Sequence, residues 1–143
     1  MVIRVSSTSD VGRPPEEVFS FVANGENDPK WNAWTLDAKR LTGGEIGPGT
    51  RFQGRMKRFG EISWHIGDFQ PPRRLTLISE GQPAGTHTIE LQPTRGGTRV
   101  HQVGEVRPPA AMLPMVPVMF LMFRSHFKQL ARGLVTALGP APK

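Results

Sequence analysis

Cysteine is absent from this sequence, which excludes a disulfide scaffold, thiolate metal sites, a cysteine nucleophile and iron–sulfur chemistry. Tyrosine is absent as well, so no phenol can act as a general acid, and proton transfer falls to four His and twelve Asp and Glu residues. Residues 1–13 contain Arg4, Asp10 and Arg13 and lack the continuous apolar stretch of a secretory signal, so a soluble, cytoplasmic protein is the expectation. Long hydrophobic runs are scarce: the longest, residues 110–123, is interrupted by Pro114 and Pro117 and falls short of the ~20 residues that cross a bilayer. It is expected to be a core or interface segment. There is no internal repeat, no G-x-S-x-G nucleophile turn, no phosphate-cradling glycine loop and no dinucleotide fingerprint. No His or acidic residues sit at a ligand spacing that would hold zinc, so neither a metal nor a cofactor is expected.

What is present is enough for one folded domain, expected to span residues 1–143. Hydrophobic residues make up 37%, sufficient for a core, and 18 Lys and Arg against 12 Asp and Glu give a formal charge of +6. The sixteen Gly and fourteen Pro fall singly between patterned segments and punctuate them. Residues 2–9 read as an opening strand, and Pro14-Pro15-Glu16-Glu17 starts a helix with Val18, Phe19 and Val22 on its apolar side. A second brief helix is expected ahead of Trp31 and Trp34. The period then changes to two, with strands predicted at 35–41, 50–57, 62–69, 75–79, 87–91 and 99–106, joined by Gly- or Pro-rich turns. Such short connections make an antiparallel meander. The last thirty residues return to a helical period, with Val116, Met119, Phe123, Phe127, Leu130 and Leu134 on one stripe and Arg124, Lys128 and Arg132 opposite. One long helix is predicted from Pro114 to Leu138, lying across the sheet. The fold class is α+β.

Five stretches in this order carry a resemblance: Pro15-Glu16-Glu17-Val18-Phe19, Asn27-Asp28-Pro29-Lys30-Trp31-Asn32, Gly47-Pro48-Gly49-Thr50-Arg51, Phe69-Gln70-Pro71-Pro72-Arg73-Arg74-Leu75 and Gly96-Gly97-Thr98-Arg99-Val100. Over essentially its whole length the chain resembles the START-related helix-grip superfamily (SRPBCC), and within it the polyketide cyclase/dehydrase-like group. The resemblance implies a seven-stranded curved antiparallel sheet wrapped around a long C-terminal helix, two short helices between strands 1 and 2, and an apolar cavity between sheet and helix. It implies a ligand among lipids, steroids, polyketides or other hydrophobic molecules, with cyclisation, dehydration or hydrolysis in a minority of members. No catalytic residue is shared across the superfamily, so the site has to be argued from the side chains themselves.

Alternation places Phe52, Gly54 and Met56 inward on one strand, and Ile62, Trp64 and Ile66 inward on the next, with His65 outward. His87 falls on the apolar side with Ile89 and Leu91, and Gln102 is the inward polar residue of the last strand, opposite in face to His101. On the helix, Met115, Met119 and Met122, with Met112 before them, either fill the core or contact a ligand of variable shape. The candidate ligand-binding set is therefore Phe52, Met56, Trp64, His87, Ile89, Gln102, Met115, Met119, Met122 and Phe123. His87 and His126 are the candidates for moving a proton, although His126 also reads as a surface residue at the edge of the stripe. Trp31 and Trp34 read as structural plugs under the first helices. Dispersed Arg and Lys on the strands read as a solvated outer face; nucleic acid is not expected, for want of interleaved aromatics. The positive charge permits peripheral contact with an anionic membrane, and the apolar start of the helix leaves monomer and homodimer both open. Binding or carriage of a small hydrophobic molecule is the leading expectation, and a cyclase, aromatase or dehydratase using the same cavity is the alternative.

Overall fold

The structure, a computed structural model, describes residues 2–81 and 84–142. Strand β1 (Ile3–Val11) leads into helix α1 (Pro15–Ala23), a 3-10 helix (Gly25–Lys30), and then strands β2 (Thr35–Arg40), β3 (Arg51–Met56), β4 (Gly60–Gln70), β5 (Arg74–Glu80), β6 (Ala84–Thr94) and β7 (Gly97–Arg107). A second 3-10 helix (Ala110–Met115) precedes helix α2 (Val116–Leu138). The strands form one antiparallel sheet in the order β1-β7-β6-β5-β4-β3-β2, a meander from β2 to β7 closed by β1 against β7. This is the helix-grip fold.

Local chemistry sets the boundaries. Pro15 opens α1, where a missing N–H costs nothing, and Glu16 and Glu17 face the positive end of the helix dipole. Asn24 ends α1 and caps the next turn, its side-chain oxygen accepting from the Glu26 amide at 3.1 Å. Strands β4, β6 and β7 run to eleven residues each, longer than the alternation alone suggested. Irregular register between Thr35 and Asp37 in β2, and between Ile66 and Phe69 in β4, bends the sheet around the helix.

The long helix starts two residues later than Pro114. An α-helical turn through 110–117 would set the rings of Pro114 and Pro117 against the carbonyls four residues back. The chain instead takes the tighter 3-10 form over Ala110–Met115 and begins the α-helix at Val116, with Pro117 in its first turn. α2 then lies along β1 and buries Met119, Phe123, Phe127, Leu130 and Leu134 in the core with Val5, Val11, Val100 and Leu91.

Two glycines set how closely α2 approaches. At Gly104 a Cβ would come within 2.3 Å of the Phe127 ring, so the ring rests directly on the β7 backbone. At Gly133 a Cβ would lie 2.0 Å from the Trp31 carbonyl oxygen. The contact there is clamped by Gln129, which donates to that carbonyl at 3.1 Å and accepts from the Ala33 amide at 3.1 Å. One glutamine thus pins residues 31–33 to the helix and fixes where Trp34 and Asn32 enter the interior. α2 and the preceding turn, Ala110–Leu138, are by length and composition apolar enough to cross a membrane, but the second half of α2 carries core side chains.

Candidate functional site

Between the concave face of the sheet and α2 lies a cavity of about 160 Å³. The sheet contributes Met56, Ile62, Trp64, Leu77 and His87, α2 contributes Phe123, His126, Phe127 and Leu130, and the segment pinned by Gln129 contributes Asn32 and Trp34, with Asp28 just before it. Phe59, in the β3–β4 turn, closes one side.

Its aromatic lining is continuous. Trp34 stacks on the His126 imidazole with ring centres 3.6 Å apart and planes 10° apart. It meets Phe123 and Phe59 at 5.6 Å each, while the Arg58 guanidinium sits 5.9 Å above the indole. His87 lies edge-on to Phe127 at 5.0 Å.

Three titratable groups of this lining, Asp28, His87 and His126, are displaced towards their neutral forms. Burial pushes the Asp28 carboxyl up to about 6, against hydrogen bonds that favour its charge. Those bonds come from the Thr35 hydroxyl and from the Asn32 amide at 3.3 Å, both to Oδ2. Asn32 is itself held, its side-chain oxygen accepting from the Trp34 amide at 3.0 Å. Burial lowers His87 to about 4, although its Nε2 donates to Gln102 Oε1 at 2.8 Å. Burial, then the neighbouring His87, lowers His126 to about 3. His126 is 7% exposed and its Nδ1 has no hydrogen-bond partner; Gln102 Nε2 is likewise unpartnered. At neutral pH the cavity therefore offers two uncharged imidazoles, one with a free ring nitrogen, and a carboxyl whose proton is within easy reach. Among the described residues, no three of His, Asp and Glu gather closely enough to hold a metal ion.

Of the ligand-binding candidates read from sequence, Met56, Trp64, His87 and Phe123 line the cavity. The others stand elsewhere. Phe52 is fully buried behind Trp64, with ring centres 5.8 Å apart, and Ile89 and Gln102 are cross-strand partners sealed in the sheet. Gln102 touches the site only through His87. Met119 is core, Met122 is half-buried beside it, and Met115 is 47% exposed in the 3-10 turn. The helical period explains this: the cavity meets α2 along Phe123, His126, Phe127 and Leu130, Met115 and Met119 lie a turn or more before that stretch, and Met122, next to Phe123, is turned about 100° away from it. His126 is buried, correcting its reading as a surface residue, and Trp34 is cavity wall, correcting its reading as a plug. Trp31 is buried at 3% exposure, as a plug would be. His65 and His101 face outward, paired with Glu80 and Thr8. The sequence reading missed Asp28, Asn32 and Phe59. A signal existed for the first pair: Asp28, Asn32 and Thr35 stand four and three residues apart around a buried tryptophan, a spacing that folds two donors back onto one carboxylate.

The family model for polyketide cyclase/dehydrase and lipid transport proteins matches residues 2–139. Among solved structures, the chain is similar to protein CV1439 of Chromobacterium violaceum, at 19% identity and a TM-score of 0.64, over 96% of this chain and 98% of that one. It is similar to protein NE0264 of Nitrosomonas europaea at 20% identity and a TM-score of 0.65, over 94% of each chain. The di-domain aromatase/cyclase StfQ of the steffimycin biosynthetic pathway gives a TM-score of 0.75 at 9% identity, over 96% of this chain and 51% of that one. At these identities the structures establish the fold, and no curated protein matches the chain by sequence. The family match spans nearly every element from β1 to the end of α2, and the chain belongs to the polyketide cyclase/dehydrase and lipid transport family.

Proposed function

We propose that the cavity binds a small hydrophobic molecule carrying one hydrogen-bonding group, a lipid- or polyketide-like ligand held between the sheet and α2. The observation that carries this reading is that His126, whose Nδ1 is buried without a hydrogen-bond partner, lines a cavity walled mainly by aromatic and aliphatic side chains. A buried polar atom without a partner costs stability, and a ligand hydroxyl or carbonyl would remove that cost. The volume matches a compact guest, since a dry cavity of ~150 Å³ is filled by a molecule of benzene size. A larger guest needs Met56 and Phe59, both half-buried, to swing aside. The site draws on residues from Asp28 to Leu130, so the whole chain acts as one domain around one ligand, and we place it in the cytoplasm.

The test is native against denaturing mass spectrometry of freshly purified protein with organic extraction of anything lost, followed by Trp fluorescence titration with naphthalene and 2-naphthol. Trp34 and Trp64 both line the cavity and report occupancy. The expected result is 2-naphthol binding roughly fivefold or more tighter than naphthalene, the contribution of one hydrogen bond, with the difference erased in His126→Phe. No adduct and no response to either probe overturns the reading.

A second reading, a cyclase, aromatase or dehydratase in the same cavity, is favoured by Asp28. A carboxyl at about 6 in the same cavity as two uncharged imidazoles is matched to taking and returning a proton near neutral pH. It predicts that Asp28→Asn abolishes turnover of the extracted compound while leaving its affinity nearly intact, and that His87→Phe does the same if His87 moves the proton. Equal loss of affinity and turnover would mark these groups as anchors.

A further inference from the structure

The largest apolar feature outside the cavity is the stretch from the end of β7 to the second turn of α2. Met112, Leu113, Met115, Val118, Phe120 and Leu121 are each at least 40% exposed, and Leu121 reaches 61%. They are six of the nine large hydrophobic residues so exposed among the described residues, concentrated in ten positions of chain. Scattered exposed side chains are ordinary, but a contiguous set of this kind marks a contact surface.

Charge says what it contacts. After Glu105 the sequence contains no Asp or Glu, only Arg107, Arg124, Lys128, Arg132 and Lys143. Arg107, Arg124, Lys128 and Arg132 are exposed and, among the described residues, pair with no carboxylate. Phe120, Arg124, Lys128 and Arg132 follow one another at four-residue steps, so a single face of α2 passes from apolar to basic. Lys57 and Arg58 extend the collar from the β3–β4 turn, which Phe59 holds against Phe123 at 6.2 Å. The patch holds no acid of its own, so a second copy docked through the same face would bring no opposite charge to these cations. An apolar tip with a basic collar suits a surface that is oily inside and negative at its edge.

We propose that residues 110–121 insert into the headgroup region of an anionic lipid bilayer, with Arg107, Arg124, Lys128 and Arg132 on the anionic headgroups around them. The inserted stretch is bounded by cavity residues, Glu105 and Val106 before it and Phe123 after it. Docking therefore brings the bilayer beside the cavity. The proposal does not depend on what the cavity holds.

Vesicle flotation tests it, with phosphatidylcholine vesicles containing about 30 mol% phosphatidylglycerol against pure phosphatidylcholine, at about 0.05 M and 0.5 M salt. The wild-type protein is expected to float with the anionic vesicles at low salt and to be largely released at high salt. Arg124→Gln with Lys128→Gln should weaken binding by more than about tenfold, at roughly fivefold per basic residue. Leu113→Ser with Leu121→Ser should weaken it by about tenfold or more. All four positions are exposed, and circular dichroism checks that the variants fold. His126→Phe should float like wild type, which keeps the outcome separate from the ligand reading. Failure of the wild-type protein to float at low salt overturns the proposal, as does full binding by the leucine double variant. A dimer in light scattering that Leu121→Ser dissociates would assign the face to a second copy and overturn it too.

Discussion

The two faces of the sheet handle charge in opposite ways. On the convex face charges are paired and wet: Arg51 bridges Glu80 at 2.7 Å, Arg74 meets Asp68 at 2.9 Å, Arg99 meets Asp10 at 2.9 Å, and His65 sits at 2.9 Å from Glu80. The Arg51 hydrogen bond, followed by that of His65, holds the Glu80 carboxyl below its usual range. On the concave face the titratable groups have no opposite charge to meet, and burial drives Asp28, His87 and His126 towards neutrality. Many ion pairs outside set little, because water screens them, whereas three groups inside, displaced by burial, set the pH response and the chemistry of the cavity.

The concave face depends first on packing, and the largest effect is expected from Phe127→Ala. That ring is 6% exposed, rests on Gly104 and touches His87. Its removal should cost about 3–5 kcal/mol and shift the denaturant midpoint at nearly constant slope. A loss under ~1 kcal/mol would mean that the cavity collapses freely and that its shape is not specified.

Asp28→Asn sharpens the contrast next. Because the folded carboxyl is raised from 3.8 to about 6, the folded state holds its proton longer than the unfolded chain, and stability falls as pH rises through that window. Asparagine retains an oxygen for Thr35 and never ionises. The variant should match wild type near pH 4 and exceed it by up to ~3 kcal/mol at pH 8, at about 1.4 kcal/mol for each pH unit separating the folded and unfolded carboxyl. A variant less stable at pH 8 than at pH 4, relative to wild type, would reverse the sign and refute the burial argument.

The histidines act in the opposite sense. Their folded values lie near 4 and 3 against 6.5 in the unfolded chain, so the unfolded state takes up protons first as pH falls. Stability is full above pH 6.5 and declines below it, at ~1.4 kcal/mol per pH unit for each histidine down to its folded value. Two histidines outweigh Asp28 between about 4 and 6, so the net slope remains a loss on acidification. His126→Phe, which keeps a ring against Trp34, should remove one histidine's share of that slope. Urea denaturation from pH 7 to 4.5 measures it.

How much of this was legible in sequence depends on whether the signal was positional. Strand alternation assigned Trp64, His87 and Gln102 to the interior, and proline placement announced the long helix but set its start at Pro114, two residues before Val116. His126 stands three residues after Phe123 and four before Leu130, so its spacing already belonged to the buried stripe, but a polar identity invites a surface reading. Asp28 was hidden differently, because turns favour aspartate for local hydrogen bonding and a functional carboxyl there looks like ordinary turn chemistry. The methionines misled by composition: soft side chains suggested a pocket lining, while the prolines carried Met112 and Met115 outside. Cavity depth was not legible, since it depends on irregular register in β2 and β4 that no alternation reveals.

The smallest effect belongs to the convex face, and it is the most direct way to break the comparison. Arg99 and Asp10 lie across β7 and β1 at 2.9 Å, with side chains 54% and 47% exposed. Arg99→Gln should leave the denaturation midpoint unresolved from wild type at physiological salt, and Asp10→Asn should do no more, because both side chains return to water when unpaired. A double-mutant cycle on the pair should show coupling that fades as salt is added. If removing this one pair destabilised the protein as much as Asp28→Asn changes it, the convex network would be structural, and the division between a wet, forgiving outer face and a dry, pH-sensitive inner one would fail.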